Sequence, residues 1–91
     1  MKVGFDPNKA AANLGKHGVP LEEAAGSLLD PVALVREDET SEGEARFVLV
    51  GMSRDGRLLT VCYALPDEET IRLISARKAT RKEARQYAQG V

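Results

Sequence analysis

Few side chains in this sequence are suited to chemistry, and they fall into two groups. Lys16-His17-Gly18 closes the first helical stretch, and His17 is the only histidine. Imidazole is the one side chain whose ordinary titration lies near neutrality, so His17 is the natural candidate for proton transfer. A plainer role competes: Lys16 and His17 also suit the negative end of a helix dipole. Arg72, Arg77 and Lys78 form the second group, on the last strand and its exit, and Arg46 opens an earlier strand. A guanidinium on a rigid strand can grip phosphate, because its planar fork donates two parallel hydrogen bonds. The plain alternative is a charged edge that discourages strand addition. Arg81, Lys82 and Arg85 read as a solvated helix face. Glu22-Glu23 suits the start of a helix, and Cys62 reads as a buried, inert thiol with no base beside it.

These residues need elements to hold them. Asp6 caps a helix that Pro7 opens, Ala-rich sequence carries it to Lys16, and Gly18 ends it. A second helix is expected over Pro20–Leu29, with Leu21, Ala24, Ala25 and Leu28 on one face, until Asp30-Pro31 stops it. Strands follow at Val32–Arg36, Phe47–Met52, Leu58–Tyr63 and Ile71–Arg77, with an acidic loop over Glu37–Glu44. Asp55-Gly56 between two apolar runs predicts a hairpin whose two central residues both take positive φ. Pro66–Glu69 reads as a polar turn. Strict alternation on the last strand places Ile71, Leu73, Ser75 and Arg77 on one face and Arg72, Ile74 and Ala76 on the other. Thr80 and Glu83 form a capping box, and Ala84, Tyr87, Ala88 and Val91 make the buried stripe of a final helix. The expected fold is α+β: two N-terminal helices, an antiparallel meander of about four strands and a C-terminal helix.

Composition sets the limits. The chain has 91 residues, enough for one domain, expected to span 1–91, and only four aromatics, too few for a base-stacking platform. One histidine and one cysteine do not make an ordinary zinc site, so neither a metal nor a cofactor is expected. No apolar run approaches the ~20 residues of a membrane span, and Met1–Gly4 leads straight into polar sequence with no signal peptide. A lone cysteine rules out an internal disulfide, which suits a reducing cytoplasm. The net charge of −1 hides a division: residues 1–45 carry four bases against nine acids, and residues 46–91 nine bases against five acids. The basic second half keeps a nucleic-acid role open.

In order along the chain, Phe5-Asp6-Pro7-Asn8-Lys9, Asn13, Lys16-His17-Gly18-Val19, Glu22-Glu23-Ala24, Asp30-Pro31, Arg46-Phe47, Gly51 and Gly56-Arg57 resemble the BrnT family of toxins. The likeness continues through Ile71-Arg72-Leu73-Ile74-Ser75-Ala76-Arg77-Lys78-Ala79 and ends with Glu83 and Tyr87. Gly15 departs from it, standing where a basic residue is frequent. The resemblance implies a RelE-like fold and a ribonuclease toxin of a type II toxin–antitoxin module. It also implies a BrnA-like antitoxin with a ribbon-helix-helix part, which neutralises the toxin and alone contacts operator DNA. On this reading RNA is cleaved without a metal. His17 transfers protons, Arg77 and Arg46 clamp phosphate, and Lys16 and Arg72 give electrostatic support. Lys78, Arg81 and Arg85 hold the RNA, with Glu83 or Tyr87 as alternates to His17. A different class of function stays open beside it: a non-catalytic module that binds nucleic acid or protein through the basic C-terminal third.

Overall fold

The computed structural model describes residues 1–39 and 43–90, so the middle of the expected acidic loop, and Val91, lie outside the described residues. The elements run β1 (Lys2–Gly4), α1 (Pro7–His17), α2 (Leu21–Ser27), β2 (Leu34–Glu37), β3 (Ala45–Met52), β4 (Leu58–Asp67), β5 (Thr70–Lys78) and α3 (Arg81–Gln89). The strands form one sheet in the order β1-β5-β4-β3-β2. The meander β2 to β5 is antiparallel as expected, and β1 adds a fifth strand, parallel to β5. Three residues are too few to show the period of two that reveals a strand in sequence. The sheet is therefore mixed, within the expected α+β class.

Local chemistry explains most of the boundaries. The Asp6 carboxylate accepts from the Asn8 N–H at 2.8 Å, and Gly18 ends α1 at φ 68°, a left-handed conformation that costs glycine nothing. α2 is shorter than expected: Pro20 caps it without a side-chain hydrogen bond, and Leu28 already closes its last turn. In the β3–β4 hairpin only Gly56 takes positive φ, so Asp55 does not. Ser53 N–H donates to the Arg57 carbonyl, which makes the connection longer than the two-residue turn that Asp-Gly suggested. β4 also runs through Pro66 to Asp67, where the expected turn began. The pairing with β5 is irregular between Ala64 and Asp67, and a proline needs no ladder donor there.

The apolar core lies between α1–α2 and one face of the sheet, called the inner face here. Val19, Leu21, Ala24, Leu49, Leu59, Val61, Tyr63, Leu73 and Ala76 are buried together, and the Phe47 and Tyr63 rings stack at 5.5 Å. α3 lies against the opposite, outer face and contacts β3. Its capping box forms as expected, but the apolar stripe does not become core. Ala84 and Tyr87 are half-buried and Ala88 is exposed, because a single helix on that side meets no second layer. Polar contacts hold α3 instead. Near its start Glu83 pairs with Arg77. Near its end the Tyr87 hydroxyl donates to Asp30, whose carboxylate also accepts from the Met52 and Val32 N–H groups. Among the described residues no helix is long and apolar enough to cross a membrane.

Candidate functional site

The arginines owe their common location to one irregularity in β5. Val61 pairs with Ala76 and Cys62 with Ser75, but Tyr63 pairs with Leu73 and Ala64 with Arg72. Ile74 is the extra residue of a β-bulge, which shifts the alternation of side chains by one step. Leu73 and Ala76 thus share the inner face with Tyr63 and Val61, and both are fully buried. Arg72, Ser75 and Arg77 share the outer face. This corrects the expectation from strict alternation, which put Arg72 and Arg77 on opposite sides. Arg46 pairs across Ala64 with Arg72 in one cross-strand row, so their backbones stand about 10 Å apart. Arg77 lies in the row of Thr60 and Val50. Three of the predicted phosphate ligands therefore sit on one face of a rigid sheet.

Two of these cations carry an internal counter-ion. Arg72 forms an ion pair with Glu44. Arg77 donates to both carboxylate oxygens of Glu83, at 2.7 and 3.0 Å, and to the Lys78 carbonyl at 3.3 Å. Part of its five-donor fork remains open. The Arg77 guanidinium pushes the Glu83 carboxyl down to about 2, with the Thr80 N–H and the neighbouring Thr60 hydroxyl adding to the effect. A carboxylate this weakly basic and this fully engaged holds Arg77 and α3 in place and is a poor proton acceptor. Arg46 differs: its Nε is buried and finds no hydrogen-bond partner among the described residues. Beside it the Cys62 thiol is pushed up, by burial first, with Arg46 opposing. It stays protonated, as expected of an inert cysteine.

The Glu83 pair makes stability depend on pH. Glu83 titrates near 4.5 when unfolded and at about 2 when folded, so the unfolded state takes up the proton first. The stabilisation is complete above about 4.5 and is lost as pH falls through about 2. Urea unfolding from pH 6 to 2 should show this loss, and Glu83→Gln should flatten it. A variant curve as steep as wild type would assign the loss to other carboxylates.

The histidine lies at the edge of the same strand. Lys9, Asn13, Lys16 and His17 fall three or four residues apart and form one stripe of α1. This stripe lines a shallow groove whose other wall is Ile74 and Ser75, at the bulge. His17 is half-buried there and Lys16 is exposed. Arg77 lies two residues beyond Ser75, so the groove and the arginine face share β5. Lys78, Arg81 and Arg85 are exposed and do not line the groove. Tyr87 is occupied with Asp30, which raises its hydroxyl's titration.

Sequence reasoning did not foresee three other contacts. Glu23 forms an ion pair with Arg57 and accepts from the Ser53 hydroxyl, which ties α2 to the β3–β4 hairpin. Asp30, read only as a helix stop, receives Tyr87 from 57 positions away. Asn13 binds β5 across 63 positions. Asn13 is one of several polar residues on α1, and nothing local in the sequence singles it out or names its partner.

The fold and the site define a class: a small α+β protein with three helices, a five-stranded mixed sheet, an arginine-bearing outer face and, on the other face, a helix that ends in Lys-His at a groove along β5. The model of the BrnT family, described as the ribonuclease toxin of a type II toxin–antitoxin system, matches residues 5–83, and the chain belongs to that family. The crystal structure of the Brucella abortus ribonuclease toxin BrnT shares its fold, with a TM-score of 0.68 at 23% sequence identity, covering 89% of this chain and 99% of that one. No curated protein sequence matches the chain.

Proposed function

We propose that this chain cleaves RNA by a metal-independent transesterification. The ribose 2′-oxygen attacks the adjacent phosphorus, the bond to the 5′-oxygen breaks, and the products are a 2′,3′-cyclic phosphate and a 5′-hydroxyl. A proton must leave the 2′-hydroxyl and another must reach the departing 5′-oxygen. His17 serves this proton transfer. Arg77 and Arg46 clamp the phosphate as charge grows on its oxygens, and Lys16 and Arg72 add electrostatic support. Lys78, Arg81 and Arg85 steer the flanking RNA. The observation that carries this reading is the bulge at Ile74, which puts Arg72 and Arg77 on the face of Arg46, on the strand whose Ile74 and Ser75 also line the His17 groove. Engagement of Glu83 by Arg77 and of Tyr87 by Asp30 favours His17 over these alternates.

A toxin of a type II module requires an antitoxin. The partner proposed is BrnA-like, with a ribbon-helix-helix part that alone touches operator DNA, and the pair acts in the cytoplasm. Induced expression with and without the neighbouring gene, followed by mapping of RNA 5′ ends, tests both claims. Growth arrest and new 5′-hydroxyl ends are expected only when the neighbour is absent. Salt-sensitive RNA binding with intact RNA after long incubation would instead establish a non-catalytic binding module.

A further inference from the structure

α1 carries the histidine, yet it brings only one buried side chain to the rest of the protein, and that side chain is polar. Asn13 is 6% exposed. Its Nδ2 donates to the Ala76 carbonyl at 3.0 Å and to the Val19 carbonyl at 2.8 Å, and its Oδ1 accepts from the Ala76 N–H at 3.0 Å. β1 pairs with β5 only as far as Arg72, so beyond it that edge of β5 has no strand neighbour. The Asn13 carboxamide serves both backbone groups of Ala76, as one residue of a strand would. Its third bond holds the segment that follows directly after His17.

An apolar side chain would bury favourable area but leave the Ala76 N–H and the two carbonyls without this partner, so the amide both satisfies the strand edge and ties the helix to it. Three directional bonds do what apolar contact does not: they fix the height and the rotation of a helix over a strand. Ala76 is next to Ser75, which lines the same groove as His17, and His17 is one helical turn beyond Asn13 on the same stripe. We infer that Asn13 is the positioning residue of this site, setting the last turn of α1 over the β5 bulge and so holding His17 in the groove it shares with Ile74 and Ser75. The inference rests on the proton-transfer reading of His17.

A double-mutant cycle on the full chain tests it, using Asn13→Ala, His17→Ala and both together, assayed on RNA at a temperature where circular dichroism shows every variant folded. Misplacement by about an ångström costs on the order of 100-fold, so Asn13→Ala should lower kcat by about that factor. KM should change by less than about twofold, and the double variant should be no slower than His17→Ala alone. Additive losses, or a folded Asn13→Ala with wild-type kcat, would overturn the inference. If His17→Ala cleaves as fast as wild type, the proton-transfer reading itself falls. The placement is then decided by NMR: nuclear Overhauser contacts between His17 and Ser75 should be present in wild type and absent in folded Asn13→Ala, and their persistence refutes it. Should the alanine variant not fold, Asn13→Ser, whose hydroxyl cannot make all three bonds, replaces it in both arms.

Discussion

His17→Ala is expected to lower RNA cleavage at least about 100-fold and to leave the fold intact. The size follows from the work assigned to the residue, because one positioned acid–base group contributes about 10²–10⁴-fold. The intact fold follows from its surroundings. His17 is half-buried at the end of α1, beyond the three bonds of Asn13 and outside the core. Gly18 and the Leu14 carbonyl, not the imidazole, close the helix. A change in melting temperature is therefore not expected, and single-turnover cleavage is the measurement that matters. Wild-type toxicity in a folded His17→Ala variant would transfer the proton chemistry elsewhere.

Arg77→Ala should abolish growth arrest while the protein still binds its antitoxin. Removing a charge-stabilising donor from such a site costs on the order of 10²–10³-fold in kcat. The same substitution also strips Glu83 of its partner, so a structural effect must be separated from a chemical one. The guanidinium is substantially exposed and the pair is screened, which limits its contribution to stability to about 1 kcal/mol. The Thr80–Glu83 capping box does not require Arg77 and keeps the start of α3 wound. Arg77→Lys should recover only part of the activity, since an ammonium keeps the charge but not the paired donors. Loss of antitoxin binding together with activity would make Arg77 a structural residue. RNA 5′-end counts and antitoxin pull-down from the same cells separate the two outcomes.

Local signals are legible in the sequence, although the β3–β4 turn is longer than Asp55-Gly56 suggests. The Asp6 cap, the Gly18 terminus, the Thr80–Glu83 box and the β3–β4 hairpin each depend on residues close together in the chain. The family resemblance then supplied an order for them. Features set by distant partners were not readable. β1 is a strand because β5 offers it an edge, and Lys2-Val3-Gly4 says nothing of that by itself. The stripe on α3 has helical spacing, but burial needs a second layer and that side of the sheet has none. Asn13 and Asp30 are ordinary residues until the strand and the tyrosine they meet are placed beside them. The site shows the same division. Residue types named Arg46, Arg72, Arg77 and His17, whereas the faces they occupy came from pairing.

The bulge in β5 has one more consequence. Up to Leu73 the strand follows one phase of alternation, and from Ser75 onward it follows the opposite phase. The phase change occupies a single residue, Ile74. A deletion there would leave the charge untouched but would force one half of β5 to turn over. Either Arg72 would be driven toward the core and Leu73 into solvent, or Arg77 would face inward in place of Ala76. For this strand the number of residues between the two arginines matters as much as their identity. A one-residue gap or insertion in a relative at this position would therefore be as severe as losing an arginine.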